Sequence, residues 1–440
     1  MGIFTNPFAG LGDIFEPLWY VITHGGWVAF VGVGIYILYK LYYFEIVTQF
    51  VASQKWVYLS IKVPRENLTS TLAVEQIFNQ LHALFSTLTF ANKYIEGKVM
   101  LWYSLEIVSL GGKVNFIIRA PIDTKELVES SIYGQYPTAE VVEVNDYMEN
   151  IQYDPDSSDF DLWGTEFVLV NEQSIPIKTW KEFEHPTAEQ KIIDPLAAMF
   201  EAMGKMQPWE FYGIQVLIQP AGDAEGWREE AEKKAKTLLG EKLPKKVTLA
   251  SILMTPFNAF ADFNFSSLFS MEIKPEQKND SKNNLLNMTE IEKTAVNAIQ
   301  AKTSKPGYYT KVRHMYVAPK DKFDPAKKAL MVGAMRVIGS GTLNSFKPDT
   351  KKTWTEPKAK LSPTLEKPYI DNTKRILKNY MFTGYKDRSI FIGNPMPVLN
   401  VEEIATIYHL PLALNSTLPQ VESVESKKSQ PPVDLPTGDY

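Results

Sequence analysis

Residues that could carry out chemistry are few and widely spaced in this 440-residue chain. It contains no cysteine, which excludes disulfides, thiolate metal sites and a cysteine nucleophile. Its five histidines lie far apart, and the hydrolase motifs HExxH and GxSxG do not occur. We therefore expect no catalytic residue, no metal ligand and no cofactor site. The prediction is a protein that is not an enzyme.

Nucleotide hydrolysis by a P-loop would require the string GxxxxGK[ST], whose backbone amides and lysine hold the phosphates. This string is absent from the sequence. The glycine clusters at 32–34 and 339–341 do not stand between a strand and a helix with a following lysine, so we interpret them as packing and capping residues.

A lysine cluster is the clearest candidate for a binding site. Lys351, Lys352, Lys358 and Lys360 surround Trp354, and such a mixture of cations and an aromatic ring can contact nucleic acid. The same lysines could instead contact anionic lipid or an acidic surface of this chain. We predict an anion or partner contact here and favour the contact within the chain.

That preference follows from a strong charge asymmetry. Residues 123–230 contain 23 acidic and 6 basic side chains, a net charge of −17, whereas residues 305–388 contain 19 basic and 7 acidic ones, a net charge of +12. Opposite charges within one chain meet at high effective concentration. The basic segment 345–388 is therefore expected to act as an internal clasp, with an external contact as the alternative.

The elements that position these residues begin with a membrane anchor. After an N-terminal segment at 1–16, residues 17–39 contain no charged side chain, and a helix of this length would span roughly 34 Å. We predict a transmembrane helix at 17–46. Acidic residues precede the span and lysines follow it, so the positive-inside bias places the C-terminal bulk in the cytoplasm, with one crossing of the cytoplasmic membrane.

An alternating pattern follows the anchor. Between residues 55 and 147 strand, helix, hairpin, helix and strand follow one another, with the hairpin turn at Gly111 and Gly112. The order β-α-β-β-α-β predicts a ferredoxin-like domain. An acidic linker at 148–161 precedes a second, diverged copy at 162–340, which carries an insertion at about 245–287.

The C-terminal part is expected to be less ordered. Lysines alternate with proline and threonine across a basic linker at 341–398, and residues 399–440 have the composition of a tail. The predicted class is therefore α+β: a single transmembrane helix, two tandem ferredoxin-like α/β domains, and a basic, disordered C-terminal tail.

Four stretches resemble one family of bacterial proteins: YSLEIVSLGGKVNFIIRAP, LVESSIYGQYPTAEVVEVNDY, MTEIEKTAVNAIQAKTSKPGYYTKVRHMYVAP and NVEEIATIYHLP. The resemblance extends over roughly residues 55–411. They are similar to a membrane-anchored N-terminal region of poorly characterised proteins from small-genome, candidate-phylum bacteria. In many relatives this region precedes a hexameric P-loop ATPase of the TraG or HerA type, related to type IV secretion and conjugation motors.

The resemblance implies a role beside such an ATPase. Because the ATPase motif is absent from this sequence, the resemblance implies a separately encoded ATPase as partner, and a longer chain or a stand-alone relative stays open. The predicted function is a non-enzymatic membrane adaptor that positions the ATPase in a secretion or DNA-transfer apparatus. The alternative is a membrane-associated nucleic-acid-binding protein that uses the basic 345–388 segment. Self-association into a homo-oligomer stays open.

Overall fold

The computed structural model describes a defined part of the chain, namely residues 20, 27–64, 69–151, 153–156, 159–183, 194–241, 288–359, 362 and 364–411. The expected insertion at about 245–287, the N-terminal segment 1–16 and Lys360 lie outside these residues. The chain divides into two compact units, one from residues 1–55 and 86–101, the other from residues 56–85 and 102–440.

The described helices are, in chain order, α1 Trp27–Ser53, α2 Thr71–His82, α3 Phe90–Tyr94, α4 Lys125–Gln135, α5 Ala197–Gly204, α6 Trp227–Leu238, α7 Glu290–Thr303, α8 Pro325–Met335, α9 Lys367–Lys386 and α10 Val401–Ile407. The described strands are β1 Trp56–Lys62, β2 Tyr103–Leu110, β3 Lys113–Pro121, β4 Glu140–Glu143, β5 Phe160–Leu169, β6 Phe211–Ala221, β7 Gly307–Pro319, β8 Phe346–Pro348 and β9 Val398–Asn400.

The first unit contains α1 and the short helix α3. Its stretch Phe30–Ser53 is long and apolar enough, by length and composition, to cross a membrane. This stretch overlaps the expected span at 17–46, and the described helix continues past Lys40 and Glu45, two residues that are good helix formers. Most of residues 17–26 lie outside the described part.

The second unit is built on one antiparallel sheet. Nine strands of the described residues belong to it, in the order β4-β1-β3-β2-β6-β7-β5-β8, and β9 pairs with the end of β7. The predicted hairpin of β2 and β3 is confirmed, and Gly111 and Gly112 both adopt positive φ at its turn. Positive φ at both turn residues matches the twist of a two-residue hairpin and favours glycine.

Two similar halves contribute to this sheet. In the first half the strands β1 to β4 stand in the order 4-1-3-2, and in the second half β5 to β8 repeat that order in reverse direction across the sheet. The two central strands β2 and β6 pair from Tyr103 with Ile218 to Leu110 with Phe211. The halves therefore form one continuous sheet rather than two separate ones.

Each face of the sheet carries its own apolar core. One face packs against α2, α4, α5, α8 and α10, with Phe78, Ile132 and Phe200 among its fully buried side chains. The other face packs against α9 and the turn around Tyr147. Because successive strand residues point to opposite faces, neighbouring residues of one strand enter different cores.

The C-terminal region differs from the sequence-based expectation. Residues 341–398, expected as a basic linker, include the edge strand β8 and the 20-residue helix α9. Helix α10 lies within the expected tail 399–440, and all seven of its residues are buried. The basic composition does not reveal this order, because Lys378 and Arg388 are paired inside the fold. Residues 412–440 lie outside the described part.

Candidate functional site

Three of the four lysines of the sequence-predicted cluster lie in the described chain, at the β8 edge of the sheet. Lys351, Lys352 and Lys358 are exposed. The turn that carries the first two is organised by Asp349, whose carboxylate accepts backbone N–H groups of Lys351 at 3.1 Å and Lys352 at 3.2 Å. Burial raises the pKa of Asp349, but these donors and Asn394 lower it more, so its pKa is below the ordinary value.

After β8 ends, the side-chain hydroxyls of two threonines continue the hydrogen bonding to strand β5. Thr353 Oγ1 accepts the backbone N–H of Glu166, and Thr355 Oγ1 accepts that of Gly164, both at 3.0 Å. Trp354, between the two threonines, places its ring edge-to-face against Trp163 at 5.8 Å between centroids. The aromatic residue of the lysine cluster is therefore part of the packing of the sheet.

Helix α9 covers the face opposite the α2 and α4 layer. Its buried side includes Lys378, Met381 and Tyr385, and the Lys378 ammonium forms an ion pair with Asp161 of β5. Burial lowers the pKa of Lys378, and Asp161 opposes this effect. Tyr385 lies directly on Gly213, where an added Cβ would stand 2.0 Å from the tyrosine oxygen. Glycine at this position allows the helix to approach the strand closely.

A row of buried polar side chains crosses the sheet beneath α9. Glu106, Gln215, Arg313 and Glu166 occupy directly paired positions on the neighbouring strands β2, β6, β7 and β5. Each of these residues is at most 1% exposed. Gln215 Nε2 donates to Glu106 Oε1 at 3.2 Å, and Arg313 Nε donates to Glu166 Oε1 at 3.0 Å.

The row also donates hydrogen bonds to carbonyl groups at the C-terminal end of α9. Arg313 Nη1 donates to the carbonyl of Gly384 at 2.7 Å, and Gln215 Nε2 donates to that of Tyr385 at 2.9 Å. The last carbonyls of a helix have no partner within the helix, so buried donors at this point hold the helix end in place. The polar row therefore fixes where α9 ends.

Arg388 closes the network directly after α9. Its Nε donates to Glu106 Oε1 at 3.0 Å, and its Nη2 donates to Asp146 Oδ1 at 2.7 Å. Burial lowers the pKa of Arg388, but Glu106, Tyr147 and Asp146 together raise it more, so the guanidinium stays charged. Arg388 has φ +52°, a left-handed conformation that costs roughly 1 kcal/mol or more for a residue with a side chain. The ion pairs offset this cost.

The loop after Arg388 is hydrogen-bonded to side chains of strands β7 and β5. Lys311 Nζ donates to the carbonyls of Ile390 at 2.8 Å and Ile392 at 2.5 Å. Burial lowers the pKa of Lys311 to about 8, with nearby Arg313 acting in the same direction. Asn394 donates its backbone N–H to Glu166 Oε2 at 2.7 Å. The segment that follows α9 is thus tied to two strands.

The outward face of α9 carries four exposed apolar side chains among polar ones. Leu365 lies two residues before the first helical residue, and Leu365, Tyr369, Ile376 and Tyr380 follow one another at spacings of four, seven and four residues, which places them on one side. They are 85%, 72%, 55% and 39% exposed. We call these four residues the α9 stripe. It lies on the side of the helix opposite Lys378 and Tyr385.

The described histidines serve the packing. His314 is fully buried against the Tyr212 hydroxyl, and burial lowers its pKa to about 3. His409 contacts Asp194 at 3.0 Å, and although burial lowers its pKa, Asp194 together with backbone hydrogen bonds at Ala405 and Thr406 raises it more. His82 contacts the carbonyls of Ala221 and Gly307. Within the described residues, no group of three histidine or acidic side chains could hold a metal ion.

The buried row was missed from the sequence for an identifiable reason. In the strand FYGIQVLIQP the alternation around Gln215 is typical of a half-exposed strand, so polar positions are read as solvent-facing. A polar residue at the paired position on each of four strands is the signal that marks a buried row, and it requires the strand order. No protein-family model matches this chain, and no curated protein matches it either.

Proposed function

We propose that this protein is a non-enzymatic, single-pass membrane adaptor that positions a separately encoded P-loop ATPase of the TraG or HerA type. The apparatus would be a type IV secretion-like or DNA-transfer system. The observation that carries the proposal is the α9 stripe, an exposed apolar face on a helix whose opposite face is fixed by buried ion pairs. Exposed apolar side chains grouped on one side of a helix mark protein contacts.

The stripe is suited to a protein groove. An amphipathic helix docks by placing side chains at helical spacing into an apolar groove of its partner. Tyr369 and Tyr380 supply large rigid side chains, which carry much of the energy in protein interfaces. Tyr380 is already held in place, because its hydroxyl accepts the backbone N–H of Gly393 at 2.8 Å. A pre-ordered surface loses less entropy on binding.

The membrane part of the proposal rests on α1. Its stretch Phe30–Ser53 is long and apolar enough for one crossing. Asp13 and Glu16 precede the apolar region in sequence, and Lys55 and Lys62 follow it. By the positive-inside rule this pattern favours the cytoplasmic membrane with the sheet on the cytoplasmic side.

We also infer that the two halves of the sheet are ferredoxin-like units. The inference is supported by the strand order 4-1-3-2 of each half and by the helices α2, α4, α5 and α8 that connect those strands. The pairing of β2 with β6 joins the two halves of the sheet edge to edge, so neither of these strands has an exposed edge. A rigid double unit of this kind is a suitable base for the α9 stripe.

Nucleic-acid binding is the second candidate, favoured by the exposed Lys351, Lys352 and Lys358. The contact of Trp354 with Trp163 counts against base stacking by Trp354. Arg375 and Lys378 form ion pairs with Asp156 and Asp161, so two further cations of the segment are already paired. These contacts make the protein partner the preferred one.

One co-purification experiment from native membranes distinguishes the adaptor function from nucleic-acid binding. The tagged full chain, a Tyr369→Asp/Ile376→Asp variant and a matched Lys351→Glu/Lys352→Glu variant are solubilised and purified in parallel. The adaptor function predicts a P-loop ATPase with the wild type and the lysine variant, but not with the stripe variant. Nucleic-acid binding predicts that the lysine variant loses DNA, with a salt dependence of about 0.7 to 0.9 log units per phosphate per decade. Wild-type chain without ATPase would contradict the adaptor.

A further inference from the structure

Two successive sections of helix α1 differ in how many of their side chains are exposed. From Trp27 to Tyr42 nearly every described side chain of α1 is exposed. From Tyr43 onward the less exposed residues recur at helical spacing, and they are Tyr43, Ile46, Val47, Phe50 and Val51. The helix therefore has a bare section followed by a section with one covered side.

Residues 86–101 contact α1 at this transition. The rings of Tyr94 and Tyr43 lie 5.9 Å apart between centroids. Gly97 adopts φ +66°, and an added Cβ would stand 2.5 Å from the backbone of Ile46. Only glycine permits both this conformation and this approach, so the segment lies directly against the helix.

The outer side of the same segment is apolar with flanking lysines. Phe90 is 74% exposed and Ile95 is 63% exposed, although both belong to a short ordered segment around α3. Lys93 lies over the ring of Tyr94 at 5.4 Å, and Lys98 pairs with Glu96. Aromatic and aliphatic side chains beside lysines are the composition of segments that lie at the membrane interface.

The point along the axis of α1 at which residues 86–101 contact the helix agrees with a position at the membrane interface. Lys40 is the first charged residue after the uncharged stretch. Tyr43 and Ile46 follow it by three and six residues, which is about 4.5 and 9 Å along a helix axis. A lysine at the end of a span reaches toward the headgroups, so the contacts with residues 86–101 fall at that layer.

We propose that residues 86–101 form a second membrane contact, in which Phe90 and Ile95 insert at the headgroup–acyl boundary of the bilayer that α1 crosses. The occupant of this apolar surface is lipid, because the surface is continuous with the bare span through the Tyr94–Tyr43 contact. The contact fixes the depth and tilt of the anchor. It rests on the membrane anchoring of the proposed function and adds a second point of attachment to it.

The absence of cysteine makes a direct test straightforward. Three full-length single-cysteine variants, Phe90→Cys, Val33→Cys in the span and Leu365→Cys as an exposed control, each receive one environment-sensitive NBD label. They are reconstituted into vesicles of phosphatidylcholine and phosphatidylglycerol. Emission wavelength and quenching are then measured with nitroxide lipids labelled near the headgroup or deep in the acyl chain, and with aqueous iodide.

The label at position 90 is expected to shift to shorter wavelength and to be quenched more by shallow than by deep nitroxide. The label at 33 should favour deep nitroxide, and the label at 365 should respond to iodide alone. If the label at 90 behaves like that at 365, or is shielded from lipid and iodide alike, the second contact is wrong while the anchor stands. If the label at 33 also responds only to iodide, the anchoring itself is wrong.

Discussion

Arg388 and Glu106 are 282 positions apart in the chain, yet their side chains form an ion pair of 3.0 Å at which both are almost completely buried. Glu106 belongs to β2, the strand of the first half that pairs with β6 in the middle of the sheet, and Arg388 follows helix α9. The pair therefore ties the basic C-terminal segment to the middle of the sheet. It is a clasp within the chain, made by a residue outside the lysine cluster.

Removing one partner of this pair should be strongly destabilising. Arg388→Ala leaves Glu106 buried with a charge that has lost its guanidinium, and we expect a loss of about 3 to 5 kcal/mol in the free energy of unfolding. Lys352→Ala, at an exposed position, should change it by less than about 0.5 kcal/mol. Urea unfolding of the full chain in detergent, followed by tryptophan fluorescence, measures both. Equal midpoints for the two variants would contradict the role of the pair.

The close approach of α9 to β6 predicts opposite effects for two glycine substitutions. Gly213→Ala places a methyl group against Tyr385, so we expect a loss of about 1 to 3 kcal/mol. Gly333→Ala in helix α8 meets nothing within 4 Å and should stabilise by about 0.5 to 1 kcal/mol. The same unfolding assay compares them. A neutral Gly213→Ala would mean that α9 does not lie on this strand.

Charge reversal separates paired from unpaired cations of the basic segment. Lys378→Glu places a carboxylate against Asp161, so α9 should loosen and protease cleavage within 341–398 should increase. Lys351→Glu/Lys352→Glu alters two exposed side chains and should leave the cleavage pattern unchanged. Limited proteolysis followed by mass spectrometry reads out both variants. Faster cleavage of the double lysine variant would return the clasp to the lysine cluster.

The His409–Asp194 contact predicts a pH-dependent stability. Asp194 raises the folded-state pKa of His409 above the value of 6.5 expected in the unfolded chain. The folded state then binds the proton more tightly, so this contribution is complete below about pH 6.5 and is lost as pH rises through the folded pKa. The difference in unfolding free energy between wild type and His409→Gln should shrink with rising pH. A constant difference would show that His409 stays neutral.

Local structure was largely predictable from the sequence. Thr289 and Glu292 form a capping box, and Asp324 caps the helix that begins at Pro325, each at a pattern that is visible in the sequence. Alternation and proline positions also located the strands of the first half. Such features depend on neighbouring residues, which the sequence displays directly.

Long-range partners were not predictable in the same way. The pairing of β2 with β6 is not encoded in the periodicity of either strand. By sequence pattern, Glu166 and Arg313 resemble residues that face solvent. Each is buried because it pairs with the other, and the two residues are 147 positions apart in the chain. The charge asymmetry did indicate a clasp, but net charge does not identify which cations are used. They are Arg375, Lys378 and Arg388 rather than the exposed Lys351 and Lys352.

Site-specific photocrosslinking in the native host tests the adaptor function most directly. A photoreactive amino acid replaces Ile376 in the α9 stripe, and a control places it at Lys352 on the exposed sheet edge. The adaptor function predicts a crosslink from position 376 to a peptide of a P-loop ATPase that carries GxxxxGK[ST], and none to that ATPase from position 352. Crosslinks from position 376 only to lipid or nucleic acid, or none at all, would contradict it.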